Sequence, residues 1–322
     1  MRHVQIKQPG TLAVVESPAP VPVGTQVVVH AEMVGICHSD IAVIDGHFIT
    51  PVGYPLTPGH EWVGRIAALG PEACGFKVGD RVVGDCRVGA NDYFGLNLDG
   101  AASESFLADE SWLYPVPDGF SAHSAALIEP FTVGYYAISV HGPLEPGARV
   151  LVLGGGPIGL CATAAAAGLG AEVITVDPLE TRRALARRLG AKTTFAPGTD
   201  LADLVREATG GRGADLVIEA SGASPALAAA LELVRQFGQI TYVGFNIGQQ
   251  VVSELGLIQS KDLTVRGITG SPGVWPAAID LIESAHIDLT PLVTSVFPLS
   301  DAVSAYARVR TGGDVKVHLS FT

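Results

Sequence analysis

Positive charge is scarce in this chain. Twenty lysines and arginines face 32 aspartates and glutamates, a formal net charge of −12, and no run of five or more basic residues occurs. That balance excludes nucleic acid as a partner, because phosphate contacts need clustered Lys and Arg. Long apolar runs are missing too. Glycine or charge interrupts every hydrophobic stretch before the about 20 residues that a membrane helix needs. The opening Met1-Arg2-His3-Val4-Gln5-Ile6-Lys7 has no apolar signal region, so a cytoplasmic protein away from the membrane is expected. Cysteine is sparse: Cys37, Cys74, Cys86 and Cys161 show no dense spacing, which argues against a disulfide framework. Charged residues make up only 16% against 48% hydrophobic, which excludes a disordered chain.

The 322 residues exceed one typical core and imply about two domains at roughly 100–200 residues each. Residues 1–125 read as short strands, such as Gln26–Ala31, Trp62–Leu69 and Asp80–Gly84, punctuated closely by Gly and Pro; this is the pattern of an irregular β domain. The character changes near Ser121. Residues 125–140 read as helical, and from Arg149 strands alternate with helices: Arg149–Leu153, Ile158–Leu169, Ala171–Asp177, Leu179–Leu189, Asp215–Ala220 and Gly238–Gly244. A βαβαβ order with continuously apolar strands predicts an α/β domain whose parallel sheet is covered on both faces.

Gly154-Gly155-Gly156-Pro157-Ile158-Gly159 fits the G-x-G-x-x-G fingerprint. It follows an expected strand and opens an expected helix, the context that the fingerprint requires. Gly154 permits the tight turn, Gly156 lets backbone approach a pyrophosphate, and Gly159 allows close helix–strand packing. The helix that follows offers free N–H groups to phosphate. Asp177 ends the next strand, where a carboxylate accepts hydrogen bonds from the ribose hydroxyls and repels a 2′-phosphate. NAD is therefore favoured over NADP, although Arg182 and Arg183 weigh slightly the other way. The bland alternative is a plain glycine turn in a non-binding domain.

Upstream, Cys37, His60, Glu61 and Glu129 stand in three short motifs: Gly35-Ile36-Cys37-His38-Ser39-Asp40, Pro58-Gly59-His60-Glu61 and Ile128-Glu129-Pro130. A thiolate, an imidazole and carboxylates form a mixed donor set suited to zinc, which keeps a position open when the protein supplies three ligands. Taken singly, Cys37 reads as a small buried hydrophobe and His60 as a satisfied histidine. Trp62 and Trp112 read as packing residues, and His38 and His47 as loop residues.

With Val78-Gly79-Asp80-Arg81-Val82, Gly154–Leu160 and Ile218-Glu219-Ala220-Ser221-Gly222, these motifs resemble the zinc-dependent medium-chain dehydrogenase/reductase family over essentially the whole chain. The branch resembled is that of sorbitol, threonine and cyclitol dehydrogenases. The resemblance implies a GroES-like catalytic domain at 1–125 and 288–322, a Rossmann NAD-binding domain at 126–287, and a cleft between them. It implies one catalytic zinc per chain, with Cys37 and His60 as ligands, Glu61 as a third or exchangeable ligand, and Glu129 beside the metal, bound directly or through water. Ser39 would meet the substrate oxygen and start a proton relay, and Asp40 would orient His60. Arg182 would lie near the adenosine half of the cofactor, and Val243, Gly244, Ile268 and Gly270 would position the nicotinamide.

The implied reaction moves a hydride between NAD and a secondary alcohol of a polyol, sugar, cyclitol or aminocyclitol. The implied partners are a small alcohol or ketone and further copies of the chain, as a homodimer or homotetramer. The chain departs from the family in two places. Many members hold a second, structural zinc on four closely spaced cysteines, and only Cys86 stands in that region here, so no structural zinc is expected. A relay histidine found in some alcohol dehydrogenases is replaced by Ala42. Three other readings stand beside this one: a dehydrogenase for a simple alcohol or aldehyde, a zinc-independent NADPH reductase, which the cysteine and Gly-His-Glu motifs oppose, and a non-enzymatic cofactor-binding relative.

Overall fold

The structure, a computed structural model, describes residues 1–244, 246 and 248–321. In chain order, the first part holds β1 (Arg2–Gln8), β2 (Thr11–Glu16), β3 (Gln26–Ile36), α1 (His38–Ile44), β4 (Glu61–Leu69), β5 (Arg81–Gly84), β6 (Ser105–Asp109), β7 (Leu113–Pro115), α2 (Ala122–Ala126) and α3 (Ile128–Ser139). The middle holds β8 (Arg149–Leu153), α4 (Pro157–Gly168), β9 (Glu172–Val176), α5 (Glu180–Arg188), β10 (Thr193–Phe195), α6 (Leu201–Ala208), β11 (Ala214–Glu219), α7 (Ser224–Leu233), β12 (Val234–Tyr242), α8 (Gly256–Ser260), β13 (Thr264–Gly267) and α9 (Trp275–Ser284). The chain closes with β14 (Val293–Pro298), α10 (Ala302–Arg310) and β15 (Lys316–Ser320). These elements form two compact units, Met1–Glu129 with Leu289–Thr322, and Pro130–Asp288.

The first unit is built on a mixed sheet of order β14-β15-β3-β4-β5-β7, with β6 also paired to β3. β14 and β15 run parallel and the other pairs antiparallel. Alternation along its strands sends Val27, Val29, Val34, Ile66 and Val82 into one core with Trp62, Phe94 and Phe106. Trp62 packs edge-on against Phe106 at 4.8 Å between ring centroids, so it serves packing, as its sequence context suggests. The loop after β5 is tied by one amide: Asn97 accepts from the Tyr93 N–H at 2.7 Å and donates to the Asn91 carbonyl and to Thr50 Oγ1.

In the second unit, all six strands are parallel in the order β10-β9-β8-β11-β12-β13. Runs such as Arg-Val-Leu-Val-Leu in β8 are buried along almost their whole length, as expected of a sheet covered on both faces. α4 packs on β8 and β9, and α7 on β11 and β12.

Three differences from the sequence reading bear on the site. β3 continues to Ile36 instead of ending at Ala31, because β15 and β4 both pair with its last residues. The expected helix over 125–140 is two helices, α2 and α3, meeting at Leu127. The first unit extends to Glu129, so this carboxylate belongs to the same compact body as Cys37 and His60.

Candidate metal and dinucleotide sites

Cys37 follows the end of β3 and caps α1, and its N–H donates to Asp40 Oδ2 at 2.8 Å. His60 and Glu61 stand where the chain enters β4. Strand pairing between β3 and β4 sets Glu61 opposite Gly35, two residues before Cys37. Donor atoms of Cys37, His60 and Glu61 lie within 4.8 Å of one another. Tetrahedral zinc with bonds of about 2.0–2.3 Å draws its ligands to comparable or shorter separations, so these residues fit the metal.

The imidazole is aimed for that role. Its Nε2 is 3.4 Å from Ser39 Oγ, and its Nδ1 is 3.3 Å from Asp40 Oδ1, an ion-pair distance without hydrogen-bond alignment. A carboxylate behind one ring nitrogen leaves the other to bind a cation. Burial opposes charge on His60, but Asp40 and the Cys86 and Cys37 sulfurs overcome it and raise its pKa well above the ordinary value. The pocket attracts positive charge.

Glu129, in the first turn of α3, stands outside the close triplet but is buried near it. Burial first, and then the Glu61 carboxylate, push its pKa up to about 7 against the pull of His60 and Lys316.

Three residues at this site have roles that sequence reasoning missed. Lys316 on β15 donates to both Glu61 oxygens, at 2.6 and 2.7 Å. The Cys86 thiol, pushed up by burial, stands close enough to His60, Glu129 and Cys37 to feel their charge. Tyr306 on α10 is buried, and its hydroxyl is close enough to Asp40 to feel that charge. The only signal for Lys316 was a lysine at the start of the short strand Lys-Val-His-Leu-Ser; nothing local marks Cys86 or Tyr306. His38 and His47 are exposed.

In the second unit, the glycine turn leaves β8 and enters α4, with Gly156 as its cap and Pro157 as its first residue. Gly154 has φ +104°, and a Cβ there would lie 2.9 Å from the Ser221 backbone nitrogen. A Cβ on Gly159 would sit 1.8 Å from the Gly154 carbonyl oxygen, whereas the space beside Gly156 is open. Asp177 is the first residue past β9. Its Oδ2 accepts from the Gly155 N–H at 2.7 Å and its Oδ1 from the Leu179 N–H at 2.8 Å. Arg182 lies 3.9 Å from this carboxylate. Arg183 turns back onto the Asp177 and Pro178 carbonyls and Glu180.

Val243 and Gly244 follow β12, both donating to the Glu219 carbonyl. Ile268 and Gly270 follow β13, where the Ile268 N–H donates to the Tyr242 carbonyl at 3.1 Å. All the expected dinucleotide residues thus gather at or beyond the carboxyl ends of parallel strands, where open α/β sheets bind ligands.

Comparison with known proteins agrees with this construction. Residues 24–118 match the model of the alcohol dehydrogenase GroES-like domain, and residues 157–284 that of zinc-binding dehydrogenases. The chain is 32% identical to a sorbitol dehydrogenase of Halalkalibacterium halodurans, over 97% of this chain and 96% of that one. It is 31% identical to D-arabitol-phosphate dehydrogenase of Enterococcus avium, over 98% and 96%. A zinc-binding dehydrogenase from Sinorhizobium meliloti, solved bound to NADP, superimposes with a TM-score of 0.90 at 25% identity, covering 99% of each chain. The fold and the two sites define a dehydrogenase of mixed β and Rossmann architecture. The chain belongs to the zinc-dependent medium-chain dehydrogenase family.

Proposed function

We propose that this protein is a zinc-dependent polyol dehydrogenase that moves a hydride between NAD and a secondary alcohol of a polyol, sugar, cyclitol or aminocyclitol. The observation that carries the proposal is the convergence of Cys37, His60 and Glu61 within 4.8 Å, in a chain whose second unit carries the glycine turn and Asp177. The sorbitol and arabitol-phosphate relatives support the substrate class.

Cys37 and His60 would hold the metal, with the Glu61 and Glu129 carboxylates as oxygen donors. Zinc supplies a Lewis acid that makes a substrate hydroxyl more acidic. Ser39, whose Oγ is 3.4 Å from His60 Nε2, would accept the hydroxyl proton and pass it outward. Asp40 keeps the imidazole in the tautomer and orientation that ligation needs. Glu129, buried beside the triplet, would bind the metal directly or through water and offer one path by which the proton leaves.

Asp177 supports NAD. Its carboxylate is fixed by the Gly155 and Leu179 amides and would oppose a 2′-phosphate. Arg183 is already committed to carbonyls and Glu180. One metal per chain is inferred, because Cys86 is the only cysteine between residues 75 and 160 and four thiolates cannot be assembled there. A homodimer or homotetramer is the assembly that the resemblance supports.

The test is turnover. The zinc-replete protein is mixed with NAD⁺ and a panel of polyols, inositols, aminocyclitols, threonine and simple alcohols, and NADH formation is followed by absorbance. Turnover confined to polyols or cyclitols supports the proposal, and turnover confined to simple alcohols overturns the substrate class. Silence with NAD⁺ bound points to a substrate outside the panel or to the non-enzymatic alternative.

A further inference from the structure

A structural metal cross-links a loop by drawing in side chains from along its length. The loop between β5 and β6 holds only Cys86 and cannot be tied in that way. One amide ties it instead. The Asn97 side chain accepts from the Tyr93 N–H at 2.7 Å and donates to the Asn91 carbonyl at 2.7 Å and to Thr50 Oγ1 at 3.1 Å. Three of the four hydrogen bonds open to an amide are thus made. Around it the chain curls tightly, with the Leu96, Asn97 and Leu98 N–H groups all donating to the Tyr93 carbonyl. Thr50 belongs to the loop that leaves α1. A second contact joins the two loops, where the Tyr93 ring packs edge-on against Phe48 at 5.6 Å between centroids.

The curl lies against the metal motif. A Cβ on Gly95 would lie 2.4 Å from the Gly59 carbonyl oxygen and 2.9 Å from the His60 nitrogen, so main chain rests directly on main chain. The residues that follow grip the same segment. Asp99 Oδ1 accepts from the Thr57 N–H at 2.8 Å. The N–H groups of Gly100, Ala102 and Ala101 donate to the carbonyls of Thr57, Pro58 and Gly59. Pro58-Gly59-His60-Glu61 is therefore flanked by two loops, and Asn97 is bonded to both.

We propose that Asn97 is a positioning residue for His60: its amide takes the place of a structural metal and, through the Gly95 contact, fixes where the imidazole meets the catalytic zinc. This rests on the metal site proposed above. Asp40 and Ser39 aim the ring, but only the main chain sets where the ring starts. Without the amide, the Tyr93 N–H and the Asn91 carbonyl turn to water and the curl lifts from Gly59. A ligand must be held within about 0.5 Å of its productive place. Supports behind a ligand are worth about tenfold to a hundredfold in metal affinity.

The experiment uses the full chain loaded with Co²⁺ in place of zinc. Its visible bands report the ligand geometry, chelator competition gives the metal affinity, and thermal unfolding followed by circular dichroism gives the stability of each metal-free variant. Asn97→Ala is expected to shift the cobalt bands and to weaken metal binding at least about tenfold. Asn97→Asp keeps the acceptor for Tyr93 but neither donor, and should behave as Asn97→Ala does. Thr50→Val removes only the bond between the loops and should weaken binding in the same direction, by less.

Unchanged bands and affinity in folded Asn97→Ala overturn the proposal, even if that variant unfolds at a lower temperature, because the amide would then stabilise the loop without positioning the ligand. If Asn97→Ala does not fold, Thr50→Val decides, and an unchanged affinity there is the overturning result. If the unsubstituted protein shows no thiolate-to-cobalt band that depends on Cys37, the metal site itself is wrong and this inference falls with it. That result is distinct from the other two.

Discussion

At the scale of single residues, chemistry at the metal site hangs on atoms with no substitute nearby. Cys37 supplies the one sulfur in the close triplet. Cys37→Ala is expected to lose stoichiometric zinc in metal analysis and to lower turnover at least about a thousandfold, the rate equivalent of roughly 4 kcal/mol of transition-state stabilisation. Full activity in that variant would remove the zinc assignment.

His318 makes a second residue-scale prediction. It is buried on β15, 3.2 Å from the ring of His123. Burial first, then Lys316 and His123, hold its pKa well below 6.5. The folded protein therefore resists a proton that the unfolded chain accepts. The contribution is complete above pH 6.5 and is lost as pH falls from there through the folded-state value. His318→Phe should flatten this part of the pH–stability profile, measured by denaturant unfolding between pH 5 and 8. An unchanged slope would show that the ring is not neutral in the fold.

At the scale of elements, the turn from β8 into α4 works only as a glycine structure. Gly159→Ala places a Cβ 1.8 Å from the Gly154 carbonyl oxygen; this forces the helix away from the strand, at a cost of about 1–3 kcal/mol by the usual measure of overpacking. Calorimetry should show NAD binding weakened at least about tenfold. Normal binding would mean that α4 tolerates the shift and that the close approach is unimportant.

Asp177 belongs to the same element because it anchors the Gly155 amide. Asp177→Ala is expected to raise the Michaelis constant for NAD and to narrow the preference over NADP. If the ratio of the two constants is unchanged, Asp177 holds the turn but does not read the ribose.

At the scale of the whole molecule, each compact unit has a hydrophobic core of its own and its own ligand site. A ligand that binds only the folded state stabilises it by about 2.7 kcal/mol at a hundred times its dissociation constant. Scanning calorimetry should show NAD raising the unfolding temperature and chelation of zinc lowering it, with the chelator effect absent in Cys37→Ala. A chelator effect that persists in that variant would place the metal elsewhere.

The sequence by itself determined whatever depends on local chemistry. The glycine turn, the short Cys37 and Gly-His-Glu motifs and the apolar parallel strands are legible because each is written within a few consecutive residues. The family follows from the order of such motifs. Long-range pairing is not written that way. Only the tertiary structure decided that β15 joins β3 and brings Lys316 onto Glu61, more than 250 residues earlier in the chain. The end of β3 was hidden for the same reason. Glu32 and Gly35 break its apolar pattern, and what holds Gly35 in the strand is its neighbours on both sides, together with a carboxylate that needs the space where a side chain would be. Strand register is set by the packing of a whole sheet, so residues that meet across it carry no mutual mark in the sequence.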